Sequence, residues 1–285
     1  MSDESTLFTI QWGEELLHLA QQMKSLLEDT VMVKTGVVGE RTTMNQVAAK
    51  ALRRVTVRHQ PQVPSDPDIR RRWITMFPYA DATLFDKQDE MKTLLQPKNQ
   101  FNQSLIMGAN RVKDDLIIEA VSATAYIGKD GTTTQAITET IAHGSVGLTQ
   151  SKIREANRNF EENNVDPDEP KFLVIGPKDH EDLLKLTEVT SRDFNDKPVL
   201  VKGRVTDWMG FRIIVSNRLA LASSVTKCLA YTKSGMGLAI GLEPKLEVSK
   251  RNDITMSPWQ AECSIFAGAT RLEEGKVIEI STYHA

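Results

Sequence analysis

The chain has 285 residues, 40% hydrophobic and 26% charged, with a formal net charge of −3; this fits one large or two modest soluble domains with a real core. No run reaches the ~18 apolar residues of a membrane span, and the opening MSDESTLFTI has neither the basic nor the apolar region of a secretory leader. Cys228 and Cys263 stand far apart with no CxxC spacing, which argues against a disulfide framework or zinc ribbon and for reduced thiols buried in apolar strands. In chain order, Trp12, Leu16, Ala20, Met23 and Leu27 recur at helical spacing and predict a helix over residues 12–28. The period is lost from Val31 to Phe77. VTVRH, residues 55–59, alternates like an exposed strand; Pro61, Pro64 and Pro67 make a stiff tip, and DIRRRWITMF returns as a strand. The expectation is a long two-stranded excursion.

Its charge is as unusual as its length. Between Glu40 and Trp73 eight positive residues face three negative ones, +5, so the rest of the chain carries −8. A basic ribbon of this kind fits a nucleic-acid arm, or an acidic surface that pairs with it.

Residues 98–126 predict a long helix with the stripe Phe101, Leu105, Ala109, Val112, Leu116 and Ala120, and with Asp114, Asp115 and Glu119 in its middle. A second helix, 149–163, has Thr149 at its N-cap. The texture from residue 171 is α/β. KFLVIG reads as a buried strand, PKDHEDLLKL as a helix opened by proline and acidic residues, and GFRIIVS, KCLAYT, GLAIG and KLEVS as strands. The end reads as two long strands joined near Glu274 and Gly275, the first alternating through Trp259, Ala261, Cys263 and Ile265.

Motifs that could carry chemistry fail on context. SGMGLAIG, 234–241, leads into a strand broken by Pro244 and not into the helix that a pyrophosphate needs. GKDGTTT, 128–134, has the wrong order for a phosphate loop, and HGSVG, 143–147, is not G-x-S-x-G. In DHED, 179–182, His180 lacks a histidine partner at i+4, so a solvated acidic first turn is the reading. No catalytic residue, metal ligand or cofactor is expected.

The order of parts resembles the tailed-phage major capsid proteins of the Johnson, or Hong Kong 97-type, coat fold. The resemblance rests on DATLFDKQDEMKTLLQP, NRVKDDLIIEAVSATA, VDPDEPKFLVIGPK, LLKLTEVTSRDFND, WMGFRIIVS and, above all, GATRLEEGKVIEI. It runs from about Val31 to Ile280 in family order. It implies an α+β fold: an N-terminal arm (1–39), an extended β-hairpin loop (40–78), a peripheral domain with a long spine helix (79–144), an axial domain (145–243) and a return to the peripheral domain (244–285). It implies no catalytic residue, and a chain that self-assembles as pentamers and hexamers around double-stranded DNA in a virion built in the host cytoplasm. Portal and scaffolding or decoration proteins are implied partners, DNA is contacted non-specifically, and no membrane is involved. An encapsulin-like compartment shares the fold; the terminal motif favours a virion. One departure is the lack of an obvious cleavable N-terminal scaffold domain. Physically, a hairpin this long cannot bury both faces at home, because isolated ribbons are marginal. Arg53, Arg54, Arg58, Arg70, Arg71 and Arg72, with Trp73, are therefore expected at contacts between subunits. Asp114, Asp115 and Glu119 of the spine are the expected carboxylate partners.

Overall fold

The computed structural model describes residues 21–284 except 53, 55–63, 65, 86–97, 187–188, 190–199, 202, 220, 223 and 256. Strands β1 (Met32–Thr35), β2 (Arg41–Val47), β3 (Ile69–Thr75) and β4 (Phe77–Phe85) lead to helix α1 (Lys98–Ser122). Then come β5 (Ala125–Ile127), β6 (Thr133–Gln135), β7 (Thr140–Ile141), α2 (Gln150–Glu162), β8 (Lys171–Ile175) and α3 (Pro177–Leu184). The rest is strand: β9 (Leu200–Val201), β10 (Arg204–Val205), β11 (Asp207–Trp208), β12 (Phe211–Val215), β13 (Leu221–Ala222), β14 (Val225–Thr232), β15 (Met236–Lys250), β16 (Trp259–Arg271) and β17 (Val277–Tyr283).

Two sheets carry the core. The larger is mixed, in the order β11-β12-β8-β14-β17-β7 with β13 beside β14; the other runs β1-β15-β16-β4. Period-two alternation sends Phe172, Val174, Leu229 and Tyr231 to one face of the larger sheet. Leu173, Ile175, Cys228 and Ala230 go to the other, against Ile153, Ala156 and Phe160 of α2 and Leu183 of α3. Helix α1 lies along the first face and continues over the second sheet, so that Leu105, Ala109, Ile117 and Val121 share one core with Leu238, Ile240, Cys263 and Ile265. Both cysteines are buried, as their strand patterns predict.

Several expectations need correction. Within the predicted 12–28 helix, residues 12–20 lie outside the described residues; residues 21–27 form no regular helix, and Glu28–Thr30 is one 3-10 turn. The amides of Leu26 and Leu27 donate to Asp114 and not to carbonyls four residues back. The outgoing strand predicted at 55–59 also lies outside the described residues; the partner that the structure gives the returning strand is β2, with Arg41 opposite Thr75 and Val47 opposite Ile69. Helix α1 stops at Ser122 and not near 126, since Ala125–Ile127 is strand β5. GLAIG and KLEVS form one strand, β15, whose register shifts between Ile240 and Leu242 and between Leu242 and Lys245. Pro244 is tolerated at that irregularity. The two terminal strands part at the turn Glu274–Lys276: β16 joins the smaller sheet and β17 the larger.

Candidate functional site

The basic ribbon is rooted in a third sheet, β2-β3-β5-β6. Trp73 is half-buried there. Its indole N–H donates to the Gly128 carbonyl at 2.9 Å, and the Arg41 guanidinium lies over the Trp73 and Tyr126 rings at 5.4 and 5.6 Å. The β5–β6 hairpin closes on the indole at Gly131, where φ is +66° and a Cβ would lie 2.9 Å from Trp73 Cδ1. That position needs glycine both for its backbone and for its space.

Arg72 is turned inward. Its Nη1 meets Glu274 Oε1 at 3.2 Å, and the other Glu274 oxygen accepts from Arg271 Nε at 2.9 Å. Arg271 is fully buried. It also donates to the carbonyls of Val121 (2.5 Å), Ala123 and, across to β6, Gln135 (3.0 Å). A helix end leaves its last carbonyls unsatisfied; here one guanidinium takes those of Ala120 (3.3 Å) and Val121 together with that of Ala123 just beyond, and ties the end of α1 to the ribbon through Glu274 and Arg72. Burial pushes the Arg72 pKa down, while the Glu274 charge pulls it up. Sequence reasoning missed this network although it lies in GATRLEEG. The usable signal was parity: Ile265, Ala267 and Ala269 put Arg271 on the inward face of β16.

The remaining arginines differ. Arg70 and Arg54 are exposed, and Arg70 meets Asp68 at 3.5 Å. Arg71 is half-buried and donates to Asn45 Oδ1 at 3.3 Å and to the Lys129 carbonyl at 3.4 Å. Arg53 and Arg58 lie outside the described residues. Val47, Leu52 and Ile69, at the point where the ribbon leaves its base, are 70%, 100% and 60% exposed.

The acidic trio on α1 does not form one outward patch. Asp114 has no exposed surface. Its carboxylate accepts from Gln22 Nε2, Ser25 Oγ (2.5 Å) and the backbone amides of Leu26 (3.0 Å) and Leu27 (3.2 Å). Beside it, Lys113 Nζ meets Glu28 at 2.7 Å. Asp114 thus anchors residues 22–27 of its own chain, and its carboxylate is already occupied there. Asp115 pairs with Arg218 of the same chain. Glu119 is exposed.

DHED is also corrected: Asp179 is fully buried, not solvated. Its Oδ1 lies 2.9 Å from His284 Nε2, with Asp182 Oδ2 3.7 Å from the other ring nitrogen. His180 instead accepts the Val205 amide at 3.4 Å. The glycines of 234–241 run into β15, and no helix N-terminus follows them.

Among the described residues no catalytic constellation emerges, whereas a tethered ribbon with exposed apolar and basic residues suits assembly. A sequence model of the family described as phage capsid protein matches residues 5–283. The chain belongs to the phage capsid protein family. The capsid of cyanophage P-SCSP1u superposes with a TM-score of 0.77 at 15% identity, covering 99% of this chain and 94% of that one. A structure from Mycobacterium phage Che8 gives 0.74 at 13% identity, with coverages of 96% and 97%. The capsid of a native GTA particle gives 0.74 at 10% identity, with coverages of 99% and 98%. Comparison with curated protein sequences finds no match. At such identities the likeness is one of fold, the Hong Kong 97-type coat fold. This capsid protein is a structural subunit and not an enzyme, and no helix among its described residues is long and apolar enough to cross a membrane.

Proposed function

We propose that this capsid protein self-assembles as pentamers and hexamers into a closed icosahedral head around double-stranded DNA. The observation that carries the reading is the contrast within the ribbon. Its base is fixed by Trp73, Arg72 and Glu274, while Val47, Leu52 and Ile69 leave that base uncovered. Apolar residues on a tethered ribbon are stable against a second surface, and copies of the same chain supply one in a closed shell. Within this reading, residues 1–39 are the arm, 40–78 the extended loop, 79–144 and 244–285 the peripheral domain and 145–243 the axial domain. Arg53, Arg54, Arg58, Arg70 and Arg71 act between copies, and Glu119 and the exposed rim of Asp115 are carboxylates they can reach. Portal and scaffolding or decoration proteins complete the head, which is built in the host cytoplasm. DNA is touched only non-specifically by the inner wall.

Interfaces of this class exceed the ~2,000 Å² at which obligate contacts begin. Electron microscopy of the protein expressed alone tests the proposal. Closed shells or five- and six-membered rings are expected; a monodisperse small oligomer at high concentration overturns it.

A further inference from the structure

HGSVG and DHED, unrelated in sequence, meet at the end of β17. Tyr283 N donates to the Val146 carbonyl at 3.0 Å, and a Cβ on Gly147 would overlap the Asp182 carboxylate. Between them sits Lys152, in the first turn of α2 and only 5% exposed. Its Nζ has four backbone carbonyls around it: His143 at 3.0 Å, Val146 at 2.9 Å, Gly147 at 2.9 Å and Ser281 at 3.0 Å. Two successive left-handed residues, Gly144 (φ +56°) and Ser145 (φ +59°), curl the loop so that three of its carbonyls converge.

An ammonium has three N–H donors. Four near-equidistant oxygens exceed that number, so part of the attraction is that of a charge among dipoles rather than of paired donors and acceptors. Rings of backbone carbonyls are how proteins replace the hydration shell of potassium. The cage is made of neutral oxygens, whereas magnesium and calcium sites draw on carboxylates. Asp179 and Asp182 stand further out and favour a positive charge inside; burial pushes the Lys152 pKa down against their pull.

We propose that residues 143–147 and Ser281 form a monovalent-cation site, of the potassium or ammonium kind, which the chain fills with its own Lys152 ammonium. This internal cation fastens the end of β17 to the loop before α2. The lysine is a positioning residue: no ligand from solution is needed while it is present.

The test is Lys152→Ala, melted in potassium, ammonium and choline chloride at equal ionic strength. In choline the variant takes the ammonium away from four carbonyls, of which those of His143 and Val146 keep the backbone amides of Val146 and Tyr283, and its melting temperature falls by about 5 °C or more. Potassium or ammonium recovers about half of that loss or more, while the wild type melts alike in all three salts. A variant as stable as the wild type in choline, or a loss equal in the three salts, overturns the proposal. If the alanine variant is recovered only as insoluble protein, its refolding yield in potassium against choline gives the same reading. Lys152→Met keeps the stem and removes the charge. It is expected to be destabilised with no recovery by any salt; wild-type stability for this variant also overturns the proposal.

Discussion

Arg70 and Arg72 stand two residues apart on β3 and separate the two roles of the ribbon. Replacing Arg72 by alanine removes a side chain that is 9% exposed and bonded to a carboxylate that is also 9% exposed. Breaking a buried pair typically costs ~3–5 kcal/mol, because the surviving charge is left unpaired. Here Glu274 keeps Arg271 at 2.9 Å, so the loss is smaller, about 2–3 kcal/mol. At roughly 2–4 °C per kcal/mol for a large domain, the melting temperature should drop by about 4–12 °C. Arg70 is 72% exposed on its side chain, and its partner Asp68 is 70% exposed. Arg70→Ala should therefore change folding stability by no more than ~0.5 kcal/mol, yet lower the yield of shells if it works between copies. Urea and thermal melts of unassembled protein, with particle yield measured in parallel, read both effects. Equal melting of Arg72→Ala and wild type, or equal destabilisation by the two variants, would show that Arg72 does not fix the ribbon's base.

Three further outcomes follow from the same geometry. Asp114→Asn turns an acceptor of four donors into a group with an N–H₂ facing some of them. It should cost ~1.5–3 kcal/mol and speed hydrogen exchange at residues 21–27 before it affects α1. Burial pushes the Glu169 carboxyl up, but hydrogen bonds from Ser234 and the Lys276 charge outweigh it and hold the pKa below the ordinary 4.5. That contribution is complete above pH 4.5 and is lost as pH falls through the lower folded value. The stability gap between wild type and Glu169→Gln should therefore hold above about pH 4.5 and shrink as pH falls below it, in urea melts. Gly268→Ala drives a Cβ into the Thr75 carbonyl; backbone cannot swing aside, so a loss of ~3 kcal/mol or more, or failure to fold, is expected.

Periodicity found what periodicity can find. The apolar runs of KFLVIG and KCLAYT became β8 and β14, and the stripe through Leu105, Ala109, Val112, Leu116 and Ala120 is the face of α1 that enters the core shared with both sheets. The order of motifs, read as a resemblance, supplied the coat fold. What escaped was pairing at a distance. Nothing local says that Asp114 receives the amides of Leu26 and Leu27, since its partners lie nearly ninety residues earlier. The acidic middle of α1 therefore read as a set of outward carboxylates for a neighbouring subunit's arginines. The same limit hid Asp179, because its burial depends on His284, 105 residues further on. In Arg70-Arg71-Arg72 three identical residues have three environments, and only the register of β3 against β2 and β5 decides which one faces Glu274. The convergence of His143, Val146, Gly147 and Ser281 on Lys152 has no signature in sequence, because backbone carbonyls carry none.

As a shell subunit, this capsid protein is proposed to complete the packing of its ribbon, fixed at its base, on a neighbouring copy. A cryo-electron-microscopy reconstruction of the assembled particle, at a resolution that shows side chains, tests it most directly. Residues 48–68 are expected to lie across an adjacent subunit, with Leu52 covered and Arg54 and Arg70 near its carboxylates, while Arg72 and Asp114 keep their own-chain partners. Residues 40–78 packed wholly against their own subunit would contradict it.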